Sequence, residues 1–248
     1  MKYVIRFQKT GVICYTSHLD IMKVFKRAFK RAGIRLSYSQ GFNPHPKMGF
    51  AQPLSLGYES LDEYIEFETV DDAPDAQMIL EKMRALMPEG LELLSIQPAT
   101  HKKTLAADTY AADYMVEIPL SCDASENLMA QNRGDQISQE GEALPAMEGL
   151  RDSYLGQEQI LTLKKMKKKK EPALVDIRPK IRDISFRMEE LTDAEAAADR
   201  VLLLDMTLDS GSESNLSPEL VISTVLEKFE LDVPRSDINV TRTKIYFN

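Results

Sequence analysis

From Lys2 to Phe7 apolar and polar positions alternate, with Tyr3, Ile5 and Phe7 on one side and Lys2, Val4 and Arg6 on the other. A period of two is that of a half-buried strand, and residues 12–15 are expected to extend or repeat it after Gly11. The period then changes. Ile21, Phe25, Ala28, Phe29 and Ala32 recur at helical spacing, with Met22 at the margin, so a helix is expected from Ser17 to about Ala32. Ser17 followed by Asp20 is a capping-box-like start, and Gly33 is a stop. Strands are predicted over 48–56 and 63–70, a Met-rich helix over 75–87, and a strand over 91–97 that follows Pro88 and Gly90. This β-α-β-β-α-β succession is that of a ferredoxin-like unit.

A polar connection over 101–108 marks the expected boundary, giving domains 1–103 and 104–248. In the second, Tyr114, Val116 and Ile118 alternate as a strand, a helix is expected near 125–131, and 124–159 otherwise reads as an irregular insertion. Residues 160–170 and 173–181 read as a hairpin turning near Glu171 and Pro172, with Arg178, Lys180 and Arg182 on the return strand. A strand over 201–208, a helix from Pro218 to Phe229 capped by Ser217, and a strand over 240–247 complete an approximate second unit. The fold class expected is therefore α+β, two tandem ferredoxin-like units related by architecture and not by a literal repeat.

Charge changes this picture more than composition does. The formal net charge of −8 is very unevenly spread. Residues 1–50 hold ten Lys and Arg against one acid, and residues 161–182 hold nine against two, whereas 51–160 hold six against twenty-two. Two basic segments in an acidic body are the footprint of one face that meets an anionic polymer. The bland alternative is that these segments neutralise acids within the fold. The predicted first helix has Lys23, Lys26, Arg27, Lys30 and Arg31 on its outer face, continued by Arg35, with no acid after Asp20. Such a stripe suits phosphates. Lys164, Lys165, Lys167, Lys168, Lys169 and Lys170, with Arg178, make the second basic element.

The least ordinary stretch is 39–50. Pro44 and Pro46 bracket His45 and hold it on a stiff backbone, while Gly41 and Gly49 permit turns at either end. Folded back over the start of the first helix, this loop would bring Asn43 and His45 to His18 and the free helix-end amides around an anion-sized space. Phe42, Tyr38 and Phe50 are aromatics available to stack on unpaired bases. Cys14 and Cys122 are the only cysteines, which excludes a disulfide framework and a cysteine-ligated metal cluster within one chain, and Cys14 reads as a small core residue. No apolar run approaches a membrane span and the N-terminus does not read as a signal peptide, so a cytoplasmic protein with no membrane partner is expected. No glycine-rich phosphate loop or His/Glu zinc pair is present, and neither cofactor nor metal is expected.

Ser17-His18-Leu19-Asp20, the pair Arg27 and Arg31, the run from Tyr38 through Gly41-Phe42-Asn43-Pro44-His45-Pro46, Phe50-Ala51, Pro53-Leu54, Leu56-Gly57 and Glu63 together resemble a radical-SAM-associated family of bacterial proteins. That domain has no assigned function. The likeness is dense over residues 3–70 and diffuse beyond, apart from Val175-Asp176-Ile177-Arg178-Pro179. Members occur fused to, or encoded beside, radical SAM proteins with a cobalamin-binding region, so the resemblance implies a radical SAM protein as working partner. It supplies no catalytic residue. Three functions stay open on these grounds. The first is a non-catalytic accessory protein that binds tRNA or ribosomal RNA and presents it to that partner. The second is a metal-free endoribonuclease in which His45 and His18 exchange protons while Lys47 or Arg27 steadies the phosphate. The third is a protein-only assembly partner.

Overall fold

The computed structural model describes residues 1–70, 75–100, 103–132, 147–164, 171–191, 198 and 200–248. It is an α+β protein with mostly antiparallel strands and, among the described residues, six α-helices. The chain divides into two compact units. Unit 1 is Met1–Ala112, Ser210–Glu213 and Thr241–Asn248, and unit 2 is Asp113–Asp209 and Ser214–Val240. The C-terminal strand, placed by sequence in the second domain, thus lies almost wholly in unit 1.

Unit 1 is built from β1 (Lys2–Lys9), α1 (His18–Arg31), β2 (Met48–Phe50), β3 (Glu59–Glu68), α2 (Ala76–Arg84) and β4 (Leu91–Pro98). β1 pairs antiparallel with both β3 and β4, and β2 pairs antiparallel with the far part of β3. A four-residue helix α3 (Leu105–Asp108) stands where a polar connection was expected, and β5 (Thr109–Leu120) leads out of the unit. The apolar stripe of α1 packs onto β1 and β3: Ile21, Phe25, Ala28 and Phe29 join Tyr3, Ile5, Phe7, Ile65 and Phe67 in one core, closed by Ile79, Leu80 and Met83 of α2. The opposite sheet face is also covered. Val4, Ala51, Leu105 and Ile245 bury together there, so β1 and β3 are shielded on both sides.

Three local expectations fail in unit 1. Residues 12–15 are not strand but part of the 3₁₀ turn Gly11–Tyr15, which opens at Gly11 with φ +70° and leaves Val12 and Tyr15 exposed. The strand expected over 48–56 stops at Phe50, before Pro53, which cannot donate to a ladder. β3 begins at Glu59, four residues earlier than expected, and runs Asp62 and Glu63 into the interior. Alternation of polar residues had disguised a strand covered on both faces. Gly90 is fixed by its turn: φ is +81°, and an added Cβ would stand 2.2 Å from the Thr10 carbonyl oxygen.

Unit 2 continues β5 and adds α4 (Cys122–Asn132), α5 (Glu148–Leu155), β6 (Leu161–Lys164), β7 (Ala173–Asp176), β8 (Ile181–Glu190), β9 (Arg200–Asp209) and α6 (Pro218–Lys228), before β10 (Asn239–Phe247) returns to unit 1. β9 lies between β5 and β8. α5 replaces part of the expected irregular insertion, buried through Leu150 and Tyr154. The hairpin is real but short, β6 against β7, and its lysine-rich middle, 165–170, lies outside the described residues. Its return strand ends at Asp176. Pro179 then forces a 3₁₀ turn over Arg178–Lys180, and a separate strand, β8, starts at Ile181. Arg178 and Arg182 are therefore not on a basic prong. The Arg178 Nε donates to the Leu155 carbonyl at 3.0 Å, and Arg182 pairs with Asp209 at 2.7 Å.

Candidate functional site

α1 starts where expected. Ser17 Oγ accepts from the Asp20 amide at 3.2 Å, Asp20 adds negative charge to the positive helix end, and Gly33 takes φ +73° just past the last turn. Because the apolar stripe is buried, the cations must face outward. Lys23, Arg27, Lys30 and Arg31 are exposed and Lys26 is half-buried. Lys23 pairs with Asp20 at 2.9 Å, but among the described residues Lys26, Arg27, Lys30 and Arg31 form no ion pair. Arg35, also exposed, is engaged elsewhere.

The proline-bracketed loop is a small clipped hairpin. Ser39 N donates to the His45 carbonyl at 2.8 Å, His45 N donates to Ser39 Oγ at 3.0 Å, and Lys47 N donates to the Ser37 carbonyl at 2.8 Å. Its tip therefore stands free of its own backbone bonds, with Phe42 wholly exposed at 112% and Tyr38 at 56%. Asn43 and His45 are exposed as well, and Lys47 reaches both oxygens of Glu68 at 3.0 Å.

His18 is elsewhere. It sits at the inner edge of α1, edge-on to Phe50 with ring centroids 5.0 Å apart, on a small, half-open cleft of about 20 Å³. Phe7, Ile21, Phe50 and Leu54 form the apolar wall, and Lys9, Glu63 and His18 the polar one. Neither His45 nor Asn43 lines it, so the expected grouping of His18, His45 and Asn43 is not what surrounds this histidine. Burial lowers the His18 pKa below its ordinary 6.5, with Glu63 opposing and Lys9 reinforcing the shift. The imidazole is neutral at neutral pH.

The other two polar groups went unnoticed in the sequence. Lys9 is 4% exposed, and its ammonium donates to the carbonyls of Cys14 at 3.0 Å and Thr16 at 3.1 Å. Burial pulls its pKa down from the ordinary lysine value. Glu63, also 4% exposed, accepts from Arg242 Nε at 2.8 Å and Nη2 at 2.5 Å, both on Oε1. Arg242 further donates to the Gln52 carbonyl at 3.2 Å. On the other side of β3, Asp62 accepts from Arg6 at 2.5 Å and from the Ile245 amide at 2.8 Å. The signal that was available is Asp62-Glu63 inside a strand. Adjacent acids on opposite faces of a covered strand each require a buried partner.

Lys164 is half-buried at the end of β6, and Lys165, Lys167, Lys168, Lys169 and Lys170 lie outside the described residues. No described helix is long and apolar enough to cross a membrane.

The profile of a family described as "Uncharacterized protein conserved in bacteria (DUF2344)" matches residues 2–218. No curated protein matches the sequence. A solved structure described as that of an unknown protein from Galdieria sulphuraria is similar at 14% identity, over 100% of this chain and 98% of that one, with a TM-score of 0.26. A score that low has no bearing on the fold.

Proposed function

The chain belongs to the DUF2344 family of bacterial proteins, and we propose that this member is a non-catalytic RNA-binding accessory protein that presents tRNA or ribosomal RNA to a radical SAM partner enzyme. One observation carries the reading: the outer face of α1 holds Lys26, Arg27, Lys30 and Arg31 with no ion pair among the described residues, while Phe42 and Tyr38 stand exposed on the neighbouring loop. Cations track a phosphate backbone and exposed aromatic rings stack on unpaired bases, which is the usual division of labour in binding single-stranded or looped RNA. The radical SAM partner enters through the sequence resemblance. The endoribonuclease alternative has less support, since the cleft that holds His18 does not include His45.

The reading also takes the fold as two tandem ferredoxin-like units. In its favour are the β4-β1-β3 order with β2 on β3, and the succession β5-α4-β8-β9-α6-β10, interrupted by α5, β6 and β7 after α4, with β9 between β5 and β8.

Retention of total cellular RNA on immobilised protein at low and high salt is the test. Binding that falls with salt, and falls again on joint charge reversal at Arg27, Lys30 and Arg31, is expected. Retention unaffected by either would refute an RNA role, and stable co-purification with the radical SAM protein after nuclease treatment, without RNA, would replace it with protein assembly.

A further inference from the structure

Phe42 is the most exposed large apolar side chain among the described residues, at 112%. A ring that lies against a surface offers a partner one face, whereas a ring that stands clear of it offers two. Its mount is stiff. Pro44 and Pro46 fix their own φ angles, Tyr38 and Pro46 form a β-bridge, and the bonds Ser39 to His45 and Lys47 to Ser37 close the stem. Gly41 takes φ +130°, a backbone that residues with a side chain rarely adopt, so the turn that aims the ring is specified by the residue before it. A loop ordered in advance loses little freedom on binding.

The tip is also uncharged. From Leu36 to Pro46 there is no Lys, Arg, Asp or Glu, and the exposed side chains nearest Phe42 in the chain are the amides Gln40 and Asn43. The cations stand beside it. Phe29, in the last turns of α1, meets Phe67 with ring centroids 4.5 Å apart, and Glu68, the next residue of β3, accepts from the Ser37 amide at 2.7 Å. The end of α1 that carries Lys30 and Arg31 and the stem of the loop therefore rest on consecutive residues of one strand. A protein pocket could take the ring but would leave those cations without an anionic counterpart. A polyanion with aromatic bases uses both.

We infer that Phe42 is a wedge that enters the base stack of an RNA at a bulge or helix–loop junction, with one base against each face of the ring. Lys30 and Arg31 hold the flanking phosphates, and Gln40 and Asn43 offer amide groups to the base edges beside the ring. A continuous duplex would have to be unstacked before the ring could enter, whereas a bulge or junction is already open. The inference rests on the RNA-binding reading and narrows its substrate to structured RNA with such an interruption.

The chain contains no tryptophan, so Phe42→Trp places a single fluorescent reporter at the tip. The test titrates the full chain, native and variant, with an RNA hairpin carrying one bulged adenine and with the same hairpin fully paired. The bulged RNA is expected to bind about tenfold more tightly than the paired one and to quench the tryptophan, as a stacked base does. Phe42→Ala is expected to bring the two affinities together without changing the salt slope, because the phosphate contacts are untouched. Equal affinity of the native chain for the two RNAs, an unquenched tryptophan in the bound complex, or a preference that survives Phe42→Ala would each overturn the inference. The two readings fail separately: no salt-dependent binding of either RNA removes the RNA role itself, and salt-dependent binding of both with no preference for the bulge removes only the wedge.

Discussion

The two units bury polarity in different currencies. Among the described residues every buried charged side chain is in unit 1: Lys9, Asp62, Glu63, Glu66 and Arg242. Among the described residues unit 2 buries only neutral polar groups, such as Ser125 and Thr224, and its core includes an aromatic cluster of Tyr154, Phe186 and Phe229. Tyr154 satisfies its hydroxyl on Thr224 at 2.7 Å. A buried ion pair is a poor way to gain stability, because desolvation offsets most of the attraction. Buried charges held at a cleft mark a candidate site, and of these five Lys9 and Glu63 line the cleft beside His18. Under the proposed RNA-binding role, the contrast directs the search for ligand chemistry to unit 1.

The sharpest way to break that contrast is to remove one side of the Glu63–Arg242 pair. Arg242→Met leaves a buried carboxylate without its cation and is expected to cost about 3–5 kcal/mol in urea unfolding, most of it recovered in the double variant with Glu63→Leu. The matched change in unit 2, Tyr154→Phe, deletes one neutral hydrogen bond and is expected to cost about 1 kcal/mol. Equal costs would mean that the charged cluster is no different from the aromatic core.

Acid sharpens the same contrast at smaller scale. Because burial lowers the His18 pKa, the folded chain favours neutral imidazole, and the unfolded chain binds the proton first as pH falls below 6.5. His18's contribution is present above pH 6.5 and lost as pH falls through its folded value. His18→Phe is expected to flatten the stability profile in that window, as read from melting temperature against pH. Base acts on both units. Burial pushes the Tyr64 and Tyr154 phenols up to about 12, so each favours the neutral form in the fold. Their share of stability holds below pH 10 and is lost as pH rises through about 12, and Tyr64→Phe should remove one late-titrating phenol from the ultraviolet titration.

Much of unit 1 was legible in the sequence, and for identifiable reasons. α1 announces itself through Ser17, Asp20, the 3.6-residue stripe and Gly33, and the sequence places its cations on the outer face because the stripe leaves them nowhere else. Signals tied to one element survive folding. The site did not announce itself in this way, since Lys9, Glu63 and Arg242 come from three distant strands, and only sheet pairing gathers them. β8 was hidden for a similar reason. Its polar Arg182, Asp183, Arg187 and Glu189 pair with β9 neighbours or face outward, and the nearby lysines drew the hairpin reading too far. His45 is the reverse case: conspicuous in the sequence, it stands exposed on the clipped loop, apart from the cleft that holds His18.

Joint reversal of Arg27, Lys30 and Arg31 to Glu should change stability by no more than about 0.5 kcal/mol, since these side chains are exposed and form no ion pair among the described residues. The same variant bears most directly on the RNA role. Measured as the logarithm of affinity for a structured RNA against the logarithm of salt concentration, the slope should be steep for the native chain and shallower by about two to three for the variant. A native slope near zero, or the same slope in both proteins, would contradict the assignment of α1 as the phosphate-binding face.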